Sequence, residues 1–242
     1  MFRNTYEDPA YADDYARLEW TGTYHLVRRD LPRILQQHVT GRRALDFGCG
    51  TGRSTRLLRE LGFTVTGVDI ASSMIERARQ IDGTGDYLLL AEGDLDRLPN
   101  GTFDLVLAAF PFDNTPASEK PRILRALARL LVPTGRIVNI VSTPELYTHE
   151  WVSFSTRQFP GNRTARNGDQ VFSVTTQFQN GKPAADVLCT DEGYGDIYRL
   201  AGVELEALYK PLGREEDGWP WVSEVEIAPW AIYVLKLRHV TE

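Results

Sequence analysis

A glycine-rich turn near residue 50 holds the residues whose types and spacing most clearly indicate chemistry. The apolar segment 44–47 contains one acidic residue, Asp46, and runs directly into Gly48, Gly50 and Gly52. Glycine is needed where a ligand approaches bare backbone or where φ is positive. Turns of this kind after a strand bind dinucleotides, phosphates or other small molecules, so the spacing of the glycines has to distinguish these ligand classes.

The spacing disfavours two of these classes. A dinucleotide fingerprint is G-x-G-x-x-G, but Arg53 occupies the third required position here. A P-loop needs Gly-Lys-Ser/Thr, which does not follow the turn. The pattern G-x-G-x-G beside Asp46 instead suits S-adenosylmethionine, which has no pyrophosphate but carries a cationic sulfonium and a zwitterionic amino-acid tail.

From about residue 42 to residue 139 the sequence resembles the class I S-adenosylmethionine-dependent methyltransferases. The turn matches their first motif, E/D-x-G-x-G-x-G, and three later motifs follow in order. These are Asp69 with Met74 shortly after it, Gly93-Asp94-Leu95, and the segment 131–136, in which Thr134 replaces the usual glycine. The resemblance implies that S-adenosylmethionine is the cofactor.

The resemblance also implies which residues contact this cofactor. Asp69 is expected to accept from the ribose hydroxyls, Ile70 and Met74 to enclose the adenine, and Asp94 with the Leu95 backbone to bind the adenine edge. The full expected set is Tyr11, Tyr15, Asp46, Gly48, Cys49, Gly50, Gly52, Asp69, Ile70, Met74, Asp94, Leu95 and Phe110. Taken alone, Asp69 also fits a helix N-cap and Met74 also fits core packing.

Three residues near the ends of the fourth and fifth predicted strands are candidate catalytic groups. Ligands of open α/β sheets lie at the carboxyl ends of the strands, where Asp113 can orient an amine or accept its proton, although an Asx turn explains it equally well. Asn139 is an amide within an apolar strand, where a buried amide needs partners. His149 follows that strand, but a hydrogen-bonded surface histidine is the commoner role. No cluster of ligands indicates a metal site.

Apolar segments of strand length alternate with helical segments, which predicts an α/β fold. We expect a doubly wound, mostly parallel, seven-stranded Rossmann-like sheet with helices on both faces and, from the resemblance, an antiparallel last strand. The predicted strands cover residues 44–47, 64–69, 87–91, 103–110, 135–141, 203–209 and 227–237, and the predicted helices cover 54–61, 72–81, 117–131 and 191–200. Residues 171–178 and 185–192 predict a hairpin joined across Asn180-Gly181.

The chain is expected to form one domain over residues 1–242. We divide it into an N-terminal helical lid (1–40), a cofactor-binding half (41–143), a substrate-cap insertion (144–190) and C-terminal strands (191–242). The lid contains Tyr6, Tyr11, Tyr15 and Trp20. These rings either close over a sulfonium by cation–π attraction or dock the lid on the core.

The composition bears on partners and location. The formal net charge of −6 disfavours nucleic acid, whose affinity depends on Lys and Arg contacts to phosphate. Two distant cysteines, no leader-like start and no long apolar segment predict a soluble cytoplasmic protein that does not bind membranes. We expect a monomer or a homodimer.

Three functions remain open from the sequence. The leading hypothesis is methyl transfer to a small-molecule N or O nucleophile. The alternative is a cyclase or lyase of the same fold, in which the amino group of S-adenosylmethionine attacks its own aminobutyrate chain, giving methylthioadenosine and a cyclic amino acid. The third is a non-catalytic cofactor-binding protein.

Overall fold

The computed structural model describes residues 9–90, 94–178 and 181–238. Helices α1 (Pro9–Ala16) and α2 (His25–His38) precede an alternation of strands and helices. The further elements are β1 (Arg43–Phe47), α3 (Arg53–Glu60), β2 (Thr64–Asp69), α4 (Ser72–Ile81), β3 (Asp86–Leu89), β4 (Phe103–Ala109), α5 (Lys120–Leu130), β5 (Leu131–Ser142), β6 (Phe154–Ser155), β7 (Gln170–Thr175), β8 (Ala184–Val187), α6 (Asp191–Ala201), β9 (Val203–Tyr209) and β10 (Trp230–Leu237).

Seven strands form the main sheet in the order β3-β2-β1-β4-β5-β10-β9. Strand β10 is antiparallel to both of its neighbours, whereas β1 to β5 pair in parallel. The predicted fold class is therefore confirmed. The strand order reverses between β1 and β4, and ligands of open α/β sheets bind at such a reversal.

The central strands are buried on both faces, as their continuous apolar runs require. Val106 in β4, Ile140 in β5 and Ile232 in β10 have no exposed surface. Helix α5 packs Leu124 and Leu127 against the same core, because residues three apart lie on one side of a helix. Helices and sheet thus bury two adjoining apolar clusters on either side of the strands.

Several element boundaries differ from the predictions. Helix α5 begins at Lys120 rather than at residue 117, with Pro121 in its first turn, where the missing proline N–H costs no hydrogen bond. The last strand begins at Trp230 rather than at residue 227, directly after Pro229. Strand β3 ends at Leu89, and the predicted final residue of that strand, Ala91, lies outside the described residues.

A second sheet of three antiparallel strands, β6-β7-β8, follows the main parallel core. Strands β7 and β8 confirm the predicted hairpin, with Ser173 opposite Ala184. Asn180 of the expected turn lies outside the described residues, and β6 was not predicted because it spans only two residues. Across the described part of the chain, no helix combines the length and apolarity that crossing a bilayer requires.

One buried carboxylate connects three distant segments of the chain. Glu224 has no exposed surface and accepts hydrogen bonds from the Thr23 hydroxyl at 2.7 Å and from the Val152 N–H at 2.8 Å. Its second oxygen accepts from the N–H groups of Val222 and Ser223. The carboxylate therefore fixes the segment before α2, the segment after β5 and the loop before β10 relative to one another.

Candidate active site

A cavity of about 570 Å³ lies at the carboxyl ends of β1, β2 and β4. The strand order reverses at the same place, as expected for a ligand site in this fold class. The expected cofactor-binding residues that line it are Tyr15, Gly48, Cys49, Gly50, Asp69, Ile70, Met74, Leu95 and Phe110. The sequence motifs therefore converge on one cavity.

The glycines of the turn are required by conformation and by close packing. Gly48, Gly50 and Gly52 all have positive φ, at 70°, 54° and 81°. A Cβ on Gly48 would lie 2.6 Å from the Pro111 side chain, and a Cβ on Gly52 would lie 2.4 Å from the Tyr87 hydroxyl. Larger residues cannot occupy these two positions without displacing their neighbours.

We expect Gly48→Ala to destabilise the fold more than Gly62→Ala. Both positions have positive φ, which costs an L-residue about 1–2 kcal/mol, but a Cβ on Gly62 meets nothing within 4 Å. The difference therefore isolates the contact with Pro111. Chemical denaturation of both variants measures it, and equal losses in the free energy of unfolding would contradict the steric argument.

Asp46 is expected from the sequence to contact the cofactor, but the structure places it away from the cavity. It is fully buried behind the turn and does not line the cavity. One of its oxygens accepts from the hydroxyls of Ser54 and Thr55 in α3, at 2.7 and 2.6 Å. Burial raises the pKa of this carboxyl to about 6. The observed contacts of Asp46 fix the first turn of α3 against β1.

Asp69 ends β2 and faces the cavity. Its carboxylate accepts from the Gly50 N–H at 2.8 Å and from the Ala71 N–H at 2.9 Å, and burial raises its pKa. Ile70 follows it with half of its surface exposed, and Met74 lies beneath on α4. A carboxylate next to an apolar slot of this size fits the ribose and adenine of S-adenosylmethionine.

Two further expected contacts are not lining residues of the cavity. Gly52 lies at the N-terminus of α3 and packs against Tyr87. Asp94 pairs with Arg97 at 3.5 Å, whereas its neighbours Leu95 and Asp96 line the cavity. Gly93 lies outside the described residues, as does the side chain of Tyr11.

Aromatic residues from the N-terminal segment cover the cavity near the turn. Tyr15 and Trp20 line it, and the Arg53 guanidinium lies 4.4 Å from the ring centroids of both Trp20 and Tyr24. Trp20 and Tyr24 are also part of the apolar core. These contacts dock the segment on the core and also place the rings of Tyr15 and Trp20 at the cavity.

A second, smaller pocket of about 40 Å³ adjoins the first and shares Tyr15, Phe110 and Asn114 with it. Its other lining residues are Tyr24, Asp113, Ser142, Thr175, Ala184, Asp186 and Trp230. Phe110 adopts a φ of 73°, which is strained for a bulky residue and occurs most often at functional sites. This conformation places its ring 4.8 Å from Trp230, between the two cavities.

Two carboxyl groups and one ammonium group are associated with the small pocket. Asp113 accepts from the Ser142 N–H at 3.1 Å and from its hydroxyl at 2.7 Å, and Asp186 accepts from the Tyr147 hydroxyl at 3.1 Å. Burial raises the pKa of both carboxyls, and the charge of Asp186 raises that of Asp113 further. Lys120 is fully buried, and its ammonium has no hydrogen-bond partner among the described residues.

Of the three catalytic candidates, only Asp113 lines the small pocket. The Asn139 amide is fully buried and donates to the Tyr198 hydroxyl of α6 at 2.9 Å, away from both pockets. His149 bonds to the Glu145 carbonyl and to Thr148, and it packs against Trp151. The structure therefore places Asn139 and His149 outside both pockets and gives them contacts within the fold.

Sequence reasoning missed Arg53, Lys120, Asp186 and Trp230. Arg53 directly follows the glycine turn, so its position was a usable signal. Asp186 and Trp230 lie on separate strands after the cofactor motifs and reach the pocket only through tertiary packing. No local pattern in the sequence distinguishes them from ordinary strand residues.

Comparison with known proteins finds a methyltransferase domain in the cofactor-binding half. Residues 44–135 match the family model of a methyltransferase domain. Malonyl-acyl-carrier-protein O-methyltransferase from Serratia marcescens is 36% identical over 100 residues, which cover 40% of this chain and 37% of the relative. Demethylmenaquinone methyltransferase from Tropheryma whipplei (strain Twist) is 38% identical over 102 residues, or 41% of each chain.

A solved structure extends the similarity in fold beyond this half. The CcbJ methyltransferase from Streptomyces caelestis superposes with a TM-score of 0.66 at 17% identity, covering 98% of this chain and 100% of that one. At this identity the similarity concerns the fold alone, and the chain spans about two fifths of the curated relatives it matches. The match with a methyltransferase domain covers residues 44–135, the stretch that contains most of the cofactor motifs, and this part of the chain is similar to the class I S-adenosylmethionine-dependent methyltransferases.

Proposed function

We propose that this protein transfers a methyl group from S-adenosylmethionine to a nitrogen or oxygen nucleophile of a small molecule. The observation that carries the proposal is the pair of adjoining cavities at the carboxyl ends of the strands. The larger is lined by the residues of the cofactor motifs. The smaller shares Phe110 with it and contains buried polar groups suited to an acceptor.

Residues of the larger cavity are proposed to hold the cofactor. Asp69 binds the ribose hydroxyls, Ile70, Met74 and Leu95 enclose the adenine, and the glycine turn accommodates the amino-acid tail. When bound, the cofactor would supply an electrophilic methyl group for transfer to the acceptor.

The remaining contribution of the protein is to position the acceptor and exclude water. Holding reactants in contact removes about 7–11 kcal/mol from the barrier of a bimolecular reaction in favourable cases. Phe110 and Tyr15 border both cavities, while Tyr24 and Trp230 form walls of the smaller one. These rings enclose the acceptor and keep water away from it.

The matched relatives support the reaction class and leave the acceptor open. Both are named as methyltransferases, of malonyl-acyl-carrier protein and of demethylmenaquinone. The family match ends at residue 135, before the segments that contribute Asp186 and Trp230. We propose that residues 144–190 form the cap of the acceptor pocket, and the net charge of −6 favours a small molecule over nucleic acid.

Mass spectrometry of the protein incubated with S-adenosylmethionine, alone and with a cell-extract metabolite pool, tests this function. We expect S-adenosylhomocysteine to accumulate only when the pool is present. Release of methylthioadenosine without an acceptor would instead identify the cyclase or lyase reaction. If the protein binds S-adenosylmethionine but forms neither S-adenosylhomocysteine nor methylthioadenosine with any fraction of the pool, the proposal that it is an enzyme would be contradicted.

A further inference from the structure

The small pocket has more carboxyl groups than cationic groups near it. Asp113 is 7% exposed, Asp186 lines the pocket, and the buried Lys120 is the cation whose charge acts on both carboxyls. Full ionisation of the two carboxyls would leave one negative charge uncompensated in a desolvated site. Such a charge is costly unless one carboxyl stays protonated or a cation enters.

The walls of the pocket add a second feature that favours a cation. Tyr24 packs 5.7 Å from Phe110 and 5.5 Å from Trp230, measured between ring centroids. All three rings line the pocket. The faces of aromatic rings carry negative electrostatic potential and attract ammonium groups, most strongly where water is excluded.

The dimensions of the pocket limit what can enter. A volume of about 40 Å³ exceeds the roughly 10–15 Å³ that one water molecule needs but accommodates only a few heavy atoms. The pocket therefore takes a head group, while the remainder of a larger acceptor would extend into the adjoining cavity across Asn114 and Tyr15, which line both.

We propose that the small pocket binds an alkylammonium head group between its aromatic walls and the Asp113 and Asp186 carboxylates, and that Asp186 takes up its proton. The acceptor is then a primary or secondary amine. This inference rests on the proposed function, because an acceptor is needed next to the cofactor cavity.

Asp186 is better placed than Asp113 to accept the proton. Both oxygens of Asp113 accept hydrogen bonds from Ser142, so its carboxylate is held in a fixed orientation. In Asp186, by contrast, one carboxyl oxygen accepts from the Tyr147 hydroxyl, so among the described residues this carboxyl is held by fewer hydrogen bonds than that of Asp113. Asp186 also keeps a minor part of its surface exposed and lines the pocket.

The proton transfer balances without any further reactant. One N–H bond of the ammonium breaks, its electron pair remains on nitrogen as the attacking lone pair, and the proton forms an O–H bond on Asp186. Burial raises the pKa of this carboxyl, which makes it a stronger base than an exposed aspartate. Burial raises the pKa values of Tyr24, Tyr147, Tyr194 and Cys189, so these neighbours of the pair remain neutral near pH 7. Burial lowers the pKa of the Lys120 ammonium, while electrostatic interactions with Cys189 and with the two carboxylates raise it.

Ligand-detected NMR titrations with n-butylamine and n-butanol test the proposal on the protein saturated with S-adenosylhomocysteine. These two probes have the same chain and differ in the charged head group. We expect n-butylamine to bind the unaltered protein at least about tenfold more tightly, since hydrogen bonds to charged groups are the stronger ones. Asp186→Asn should remove this preference, whereas the exposed control Asp196→Asn should retain it.

The pH dependence gives an independent readout. Lowering the pH protonates the Asp186 and Asp113 carboxyls while n-butylamine stays charged. The affinity of the protein for n-butylamine should therefore fall as the pH drops past the raised pKa values of these two carboxyls. Equal binding of the alcohol and the amine to the unaltered protein would overturn the inference. An unchanged amine affinity in Asp186→Asn would do the same.

Calorimetry with S-adenosylhomocysteine distinguishes failure of the amine assignment from failure of the proposed function. Normal affinity for S-adenosylhomocysteine with no amine preference would overturn the amine assignment and leave the proposed function intact. Absence of S-adenosylhomocysteine binding to the unaltered protein would overturn both. The comparison of the two probes does not depend on whether the Asp186 variant folds.

Discussion

Replacing Asp69 with alanine should weaken S-adenosylhomocysteine binding by about two orders of magnitude. The substitution removes a carboxylate proposed to accept from two ribose hydroxyls, and each hydrogen bond to a charged group contributes about 1.5–3 kcal/mol. It also frees the Gly50 N–H, whose bond to Asp69 holds the glycine turn against β2. Isothermal titration calorimetry measures the change directly.

The control for this variant is Asp196→Ala, an exposed position on α6 that pairs with Arg199. It removes the same charge without approaching either cavity, so its affinity should equal that of the unaltered protein. The affinity of Asp69→Asn for S-adenosylhomocysteine should lie between those of the two alanine variants, because the amide keeps one accepting oxygen. Equal affinity of Asp69→Ala and Asp196→Ala would refute the assignment of Asp69 to the cofactor.

Trp230→Ala should lower the free energy of unfolding by about 3–5 kcal/mol, the usual cost of truncating a buried aromatic side chain. Trp230 is 2% exposed, packs against Tyr24, Phe110 and Phe154, and donates its indole N–H to the Thr23 carbonyl at 2.9 Å. The truncation opens a cavity beside the small pocket and leaves that carbonyl without its donor. Equilibrium denaturation in urea measures the loss.

One further variant separates packing from hydrogen bonding at Trp230, and a second, at Trp219, serves as a control. Trp230→Phe keeps a ring but removes the N–H, so it should cost less than the alanine variant. Trp219→Ala removes a partly exposed tryptophan that contacts His25 and Trp221. A loss as large at Trp219 as at Trp230 would show that the aromatic cluster does not hold the small pocket together.

The cofactor-binding half could be predicted from the sequence because its signals are local. Each strand, turn and helix is encoded within a short segment, and β2 and α4 have the boundaries that their apolar patterns predict. The glycines follow from backbone geometry at a single turn. Such features depend on neighbouring residues, which the sequence shows directly.

The acceptor side could not be predicted in the same way, because it depends on which face of a strand a residue occupies. Asn139 lies in a strand buried on both faces, so the alternation of side chains does not indicate whether it faces α6 or the cavities. Asp186 joins Asp113 only because β8 folds back against the segment after β4, where the Val187 N–H donates to the Asp113 carbonyl. This proximity requires the tertiary fold.

The buried carboxylate of Glu224 constrains how acceptor preference can be exchanged between related proteins. The three segments it connects are the ones adjoining Tyr24, Phe154 and Trp230, whose rings pack on one another. A chimaera that imports the Glu224 segment alone would leave the donors Thr23 and Val152 without their acceptor, and one that imports the Thr23 segment alone would remove a donor from the buried carboxylate. Grafting a new preference onto this scaffold therefore requires transplanting all three stretches together, whereas the cofactor-binding half can stay unchanged.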